Sequence, residues 1–307
     1  MPTLLVLEQI LNGLQLGFTL FLMAAGLTLV FGIMGLINLA HGSLYMIGAF
    51  VAASVTGATG SFLLGLLAAV PAAALVGVAI EMIALRRLYD RDHLDQVLAT
   101  FGLILFLNEL ASILWGARPL FMDVPSWLAG TVEILPGVPY PAYRLAMILV
   151  GALVAVLLYL LIAHTRLGML IRAGATNRAM VGALGINVAR LYTLVFALGA
   201  GLAALAGVMA GPILSVQVGM GEQILILTFV VVVIGGLGSI KGALVGALLV
   251  GLVDTLGRVF LPVLLRIVLP PANADSVGAS LASMAIYILM AVVLAWRPNG
   301  LFGRAHA

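Results

Sequence analysis

The chain contains no cysteine and a single lysine, Lys241, and only 8% of its 307 residues are charged. Without a thiol there is neither a disulfide framework nor a thiolate metal site. Its four histidines are scattered and no H-E-x-x-H pattern exists, so no metal is expected. A G-x-S-x-G nucleophile elbow is also missing. The phosphate-binding loop G-x-x-x-x-G-K-[ST] cannot form, because the only lysine is followed by Gly242. The expectation is a non-catalytic chain that holds no cofactor of its own. If ATP drives it, the motor is another subunit. No basic patch interleaved with aromatics is present, so nucleic acid is not an expected partner.

What the chain does have is apolar length. It is 64% hydrophobic, with a mean hydropathy of +1.27. Soluble domains carry roughly a quarter charged residues, so this composition belongs in a lipid bilayer. A spanning helix needs about 20 apolar residues. Candidates fall at 10–32, 37–56, 62–85, 96–115, 143–163, 191–213, 224–235, 243–261 and 277–296. The prediction is therefore an all-α polytopic membrane protein of about nine spans, eight to ten, forming one transmembrane domain over 1–307. The second and seventh segments are candidates for broken helices, because Gly35, Gly42 and Gly48 lie in one and Gly235, Gly236 and Gly238 end the other.

The longest basic segment, 164–190 (HTRLGMLIRAGATNRAMVGALGINVAR), carries Arg166, Arg172, Arg178 and Arg190 and no acid. Loops rich in Arg stay on the cytoplasmic side. Arg86, Arg87 and Arg91 form a second such mark, and Arg297 with Arg304 a third. Together they predict the N-terminus outside and the C-terminus inside. The nearly neutral stretch 116–142, rich in Pro and aromatics and including Trp127, Pro136 and Tyr140, is the expected external loop, and 215–222 a short external turn. Within the basic segment, Thr176 can cap a short helix and Gly185 can end it. Ala179, Met180, Ala183 and Leu184 then share one face, with Arg178 and Gly182 turned away. Such a helix either lies on the lipid headgroups or docks onto a partner.

Polar side chains within spans are costly, so the few present are candidates for a solute pathway. Asn12, Gln15 and Thr19 share one side of the first span. Asn38 and His41, flanked by Gly42, lie in segment 35–50, the candidate broken helix. An interrupted helix at membrane depth is tolerated only when buried in protein or lining a cavity, so these residues are either pathway-lining or a structural kink. Asn108 and Glu109 sit toward the outer end of the fourth span. Glu109 faces the pathway or pairs with Arg118. Asp254 and Arg258 are spaced to pair on one helix, and Glu81 is expected to pair with a nearby arginine.

Two long stretches carry a family resemblance. GLTLVFGIMGLINLAHGSLYMIGAF at 26–50 resembles the signature of permease subunits of high-affinity branched-chain amino acid ABC transporters, of the LivH type. TRLGMLIRAGATNRAMVGALGINVARLYTLVFALGAGLAALAGVMAGP at 165–212 is similar to the segment between the two halves of the same family. IGGLGSIKGALVGALLVG at 234–251 and RPNGLFG at 297–303 also fit. The resemblance implies a type II ABC importer-like permease in the bacterial inner membrane, working with a LivM-like sister permease or with itself. It implies two cytoplasmic ATPase subunits and a periplasmic substrate-binding protein as partners. It places the ATPase-coupling loop on Arg172, Ala173, Asn177, Arg178, Ala179, Gly182, Gly185 and Ile186, and the translocation path near Asn38, His41 and Gly42. The other reading of the residues is a secondary transporter or channel for a small polar solute that needs no ATP. Such proteins usually carry an acidic or ion site at mid-membrane, and no convincing carboxylate pair stands there. Which amino acid or related solute is carried is not readable from these side chains.

Overall fold

The computed structural model describes residues 2–135 and 137–303; Pro136 and Arg304, both used above, lie outside the described residues. Helices dominate: α1 (Pro2–Met34), α2 (His41–Thr59), α3 (Phe62–Ile83), α4 (His93–Trp115), α5 (Ala142–His164), α6 (Arg166–Thr176), α7 (Arg178–Ala183), α8 (Val188–Ala210), α9 (Met220–Gly235), α10 (Ile240–Leu265) and α11 (Pro271–Trp296). Among the described residues, eight helices are long and apolar enough to cross a membrane, and α9 is a shorter apolar helix. This matches the expected eight to ten spans. The seventh is indeed short, and the break near the second lies at 35–40, ahead of the helix rather than within it.

Helix limits follow local chemistry. Ser61, Thr165, Asn187 and Ser239 cap α3, α6, α8 and α10, each side chain accepting a backbone N–H three residues on. Gly60, in the left-handed conformation, ends α2. Pro271 opens α11, where its missing N–H costs nothing. Among the described residues, the all-helical expectation lacked a small hairpin of β1 (Thr131–Leu135) and β2 (Val138–Pro141), turning at Gly137 with φ 84. Glu133 Oε1 accepts the Gly137 N–H at 2.7 Å and fixes that turn.

The chain forms two compact units, one of Met1–Ala24, Ser126–Ala152 and Thr228–Ala307, the other of Ala25–Pro125 and Leu153–Leu227. In the first, α10 packs along α11. The opening half of α1 approaches α10 backbone to backbone, because an added Cβ at Gly17 would lie 3.0 Å from the Ala247 carbonyl oxygen. Lipid offers no hydrophobic drive between helices, so such small-residue contacts carry the association. The segment after α11 returns to α9: the N–H groups of Leu301 and Phe302 donate to the Ile234 and Gly235 carbonyls at 2.8 and 2.9 Å. Those carbonyls end α9 and would otherwise be orphaned. The RPNGLFG ending therefore caps the Gly-rich end of α9.

In the second unit, α2 is the buried element. It packs on α8 through Gly48, whose added Cβ would lie 2.5 Å from Ala204 Cα, and through Gly207 against the Tyr45 carbonyl. Helix α3 covers both, with Gly77 against Ala200. Phe50 stacks on Trp115 of α4 at 5.0 Å between ring centres.

Candidate coupling segment and buried polar sites

The basic segment folds into two short helices with a sharp bend. Thr165 caps α6 through the Gly168 N–H at 3.0 Å. Arg172 donates back to the Ile162 carbonyl in the last turn of α5, where a cation suits the helix end. Asn177, extended at φ −154, takes the N–H of Met180 at 3.0 Å and so caps α7. This corrects the expectation that Thr176 is the cap. Thr176 is still inside α6, where its hydroxyl donates to the Arg172 carbonyl at 2.9 Å, so it stands one residue ahead of the position that caps α7. The Asn177 N–H closes α6 on the Ala173 carbonyl at 2.9 Å. Gly185, at φ 81, ends α7 as expected. Its N–H donates to the Gly182 carbonyl at 3.0 Å and that of Ile186 to the Val181 carbonyl at 3.3 Å, a Schellman closure.

The faces of α7 divide sharply. Val181 is buried, whereas Ala179, Met180, Ala183 and Leu184 are exposed, Met180 by 63% and Leu184 by 74%. Gly182 is exposed with only Val188 Cγ2 near it, 3.8 Å from an added Cβ. Arg178 pairs with Asp90 at 3.1 Å, so α7 is tied to the connection between α3 and α4.

That connection is anchored by a buried acid. Glu81, fully buried near the end of α3, accepts Arg86 Nε and Nη2 at 3.1 and 3.0 Å, the Tyr89 hydroxyl at 2.5 Å and the Thr193 hydroxyl of α8 at 2.8 Å. The expected pairing of Glu81 with an arginine is present. Burial, and then the bond to Glu81, hold the Tyr89 phenol above its ordinary pKa range, so it stays a donor. Sequence reasoning missed Tyr89 and Thr193, because nothing in their local pattern marks them as partners of Glu81.

The predicted pathway residues fall in three places. In the first unit, Asn12 Oδ1 accepts Tyr140 Oη at 3.1 Å and Arg144 Nη1 at 2.7 Å. Gln15 Nε2 reaches Met147 Sδ at 3.6 Å. Thus Asn12 and Gln15 tie α1 to the hairpin and α5. In the second unit, Asn38 and His41 are fully buried at the break before α2. Asn38 Oδ1 accepts the Ala40 N–H at 3.1 Å, while its Nδ2 has no hydrogen-bond partner among the described residues. The His41 ring lies against Gly26 of α1. A buried Gln96, which the sequence did not single out, holds the break in place. Its oxygen accepts the Ile37 N–H at 3.4 Å, and its amide donates to the Leu88 and Arg91 carbonyls at 3.2 and 3.1 Å. This meets the condition for irregular backbone at membrane depth, which must be buried in protein and held by side chains.

The third place is the start of α9. Gly42 and Gly221 meet backbone to backbone, leaving no room for a Cβ on either. Next to Gly221, Glu222 accepts Asn108 Nδ2 at 2.5 Å. The structure therefore brings Gly42 and Asn108 to one helix end. It also moves Glu222 from the expected turn into the first turn of α9, where an acid suits the helix N-terminus. Glu109 is exposed on α4 and makes no ion pair with Arg118 among the described residues. Asp254 and Arg258 pair as expected, at 2.8 Å.

Comparison with known proteins gives these features a context. Residues 9–294 match the family model described as the branched-chain amino acid transport system permease component. The chain is 34% identical to the high-affinity branched-chain amino acid transport system permease protein BraD of Pseudomonas aeruginosa, over 97% of this chain and 96% of that protein. It is 32% identical to the corresponding LivH protein of Escherichia coli, with the same coverage. The ribose import permease protein RbsC of Escherichia coli is 29% identical over 82% of this chain and 78% of that protein. A match of this extent, to a chain with eight spanning-length helices among its described residues, leaves one assignment: the chain belongs to the branched-chain amino acid transport system permease component family.

Proposed function

We propose that this chain is the membrane-spanning permease subunit of an ATP-driven importer for branched-chain or related amino acids. It forms the translocation path with a LivM-like sister permease or a second copy of itself. The observation that carries the reading is α7, a six-residue helix capped at both ends, which with its C-cap residue Leu184 turns the apolar side chains of Met180 and Leu184 outward. A helix too short to be stable alone is held in place here by its caps and the buried Val181, with the exposed Arg178–Asp90 pair adding little. A held apolar face outside the spans suits docking onto a partner.

In this reading two cytoplasmic ATPase subunits seat on the segment containing Arg172, Ala173, Asn177, Arg178, Ala179, Gly182, Gly185 and Ile186. The N-terminus lies outside and the C-terminus inside the bacterial inner membrane, with 116–142 on the periplasmic face. A periplasmic binding protein delivers the solute. The permease itself hydrolyses nothing and holds no cofactor, which accords with its lack of a phosphate-binding loop. Asn12, Gln15, Asn38, His41, Gly42 and Asn108 border the path. The greater likeness to BraD and LivH than to RbsC favours an amino acid over a sugar as cargo.

The test is co-expression with candidate ATPases and binding proteins, followed by ATPase and uptake assays in nanodiscs and proteoliposomes. Co-purified ATPases whose activity rises with a loaded binding protein support the reading. Gly182→Asp introduces a charge where there is space for it, so it leaves the fold intact and should uncouple hydrolysis from uptake. A chain that transports solute alone, without ATP, refutes the proposal.

A further inference from the structure

Between α3 and α8 runs a groove of about 600 Å³ that the coupling and pathway readings do not use. Its walls are Val78 and Met82 of α3 and Leu194 and Ala197 of α8, with Met82 exposed by 52% and Leu194 by 56%. At the end of the groove nearest the loops stand Arg86 and Arg190. Spacing alone produces this order. Positions 78, 82 and 86 follow one face of α3 and the turn beyond it, and 190, 194 and 197 follow one face of α8, so each side grades from apolar to cationic.

The two guanidinium groups are not equally committed. Arg86 gives Nε and Nη2 to Glu81 and Nη2 also to Thr193, which leaves Nη1 for an outside acceptor. Arg190 has no side-chain hydrogen bond or ion pair among the described residues. Of the two nearby acids, Glu81 is fully buried behind Arg86 and Asp90, in the adjoining pocket, is paired with Arg178, so the charged side chains lining the groove itself are Arg86 and Arg190.

We infer that this groove binds one acidic phospholipid of the surrounding bilayer. Its phosphate sits between Arg190 and Arg86 Nη1, and an acyl chain lies along Val78, Met82, Leu194 and Ala197. Basic pockets between spanning helices are suited to anionic headgroups. A free anion would satisfy the arginines and leave the apolar walls uncovered, whereas a phospholipid covers both. The inference requires only that α3 and α8 cross a membrane. It stands or falls separately from the ATPase-coupling reading.

The experiment titrates purified protein with phosphatidylglycerol or phosphatidylcholine and reads bound lipid by native mass spectrometry. Wild type should retain one phosphatidylglycerol under activation that strips phosphatidylcholine. Arg190→Gln should weaken that retention about fivefold, the weight of one interfacial cation, and Arg190→Lys should keep most of it. Ala197→Trp, which fills the groove without altering charge, should abolish it while the helical content by circular dichroism remains unchanged. Equal retention of both lipids, retention indifferent to Arg190→Gln, or displacement by millimolar inorganic phosphate would overturn the inference. So would loss of the lipid when partner subunits assemble, because the groove would then belong to a protein interface.

Discussion

Gly26 of α1 and Gly199 of α8 form a reciprocal contact that can be perturbed one methyl at a time. An added Cβ at Gly26 would lie 2.7 Å from the Gly199 carbonyl oxygen and 2.9 Å from His41 Nε2; one at Gly199 would lie 3.1 Å from the Gly26 carbonyl oxygen. Ordinary contact begins near 3.4 Å, so Gly26→Ala must part the backbones by about 0.7 Å and Gly199→Ala by about 0.3 Å. Overpacking of a well-filled interior costs about 1–3 kcal/mol, and alanine returns up to about 1 kcal/mol in helix preference. Gly26→Ala should therefore destabilise by about 1–2 kcal/mol, because neither a carbonyl nor the fully buried His41 ring can step aside. Gly199→Ala alone should be close to neutral.

The pair gives the sharper result. The separation forced by Gly26→Ala exceeds what Gly199→Ala needs. In the Gly26→Ala background the second alanine therefore meets no further clash and contributes only its helix preference. The double variant should be about 1 kcal/mol more stable than Gly26→Ala, a coupling typical of residues in contact. The assay is reversible unfolding in mixed micelles, followed by circular dichroism, for wild type, both singles and the double. A neutral Gly26→Ala would refute the close approach. A double variant no more stable than Gly26→Ala would refute the shared separation.

Two further outcomes follow from the segment between α3 and α8. Tyr89→Phe deletes a hydrogen bond to a buried carboxyl group and should cost about 1.5–3 kcal/mol in the same unfolding assay, with Thr193→Val tested beside it as the other hydroxyl donor to Glu81. Asn177→Ala removes the cap of α7 and should cost about 1 kcal/mol locally. Because that helix has only six residues, uptake by the assembled transporter should fall while the amount of protein in the membrane does not, and Asn177→Asp should restore it.

The eight long spans were legible because each carries its own signal: about 20 apolar residues need no partner to be recognised. The same holds for Gly185, whose turn depends only on its own backbone, and for the Asp254–Arg258 pair, four residues apart on one helix. Legibility fails where a role is set by what lies far along the chain. Thr176 and Asn177 are both capable caps, and the choice between them was made by where α6 stopped. The hairpin was hidden by Pro139 and Pro141, which argue against a strand anywhere except at an edge. Gln96 reads as one amide among many until the break at 35–40 is laid beside it, 59 residues away in sequence.

The same logic explains why the candidate pathway residues were recognisable but their neighbours were not. A polar side chain inside an apolar run advertises a cost, so Asn38, His41 and Asn108 stand out. A glycine advertises nothing, and with 36 of them no pairing can be read from the sequence. Yet it is the contact of Gly42 with Gly221 that brings the start of α2 to the start of α9, where Asn108 and Glu222 meet. Each glycine gives up a side chain so that two backbones can touch, and the polar residues are placed by that touch rather than by their own helix. A side chain at 42 or 221 would therefore displace polar groups it never contacts, which makes this glycine pair the determinant of where Asn108 and Glu222 meet; the sequence marked Gly42 as a helix interrupter and by family resemblance, but showed no sign of its partner Gly221.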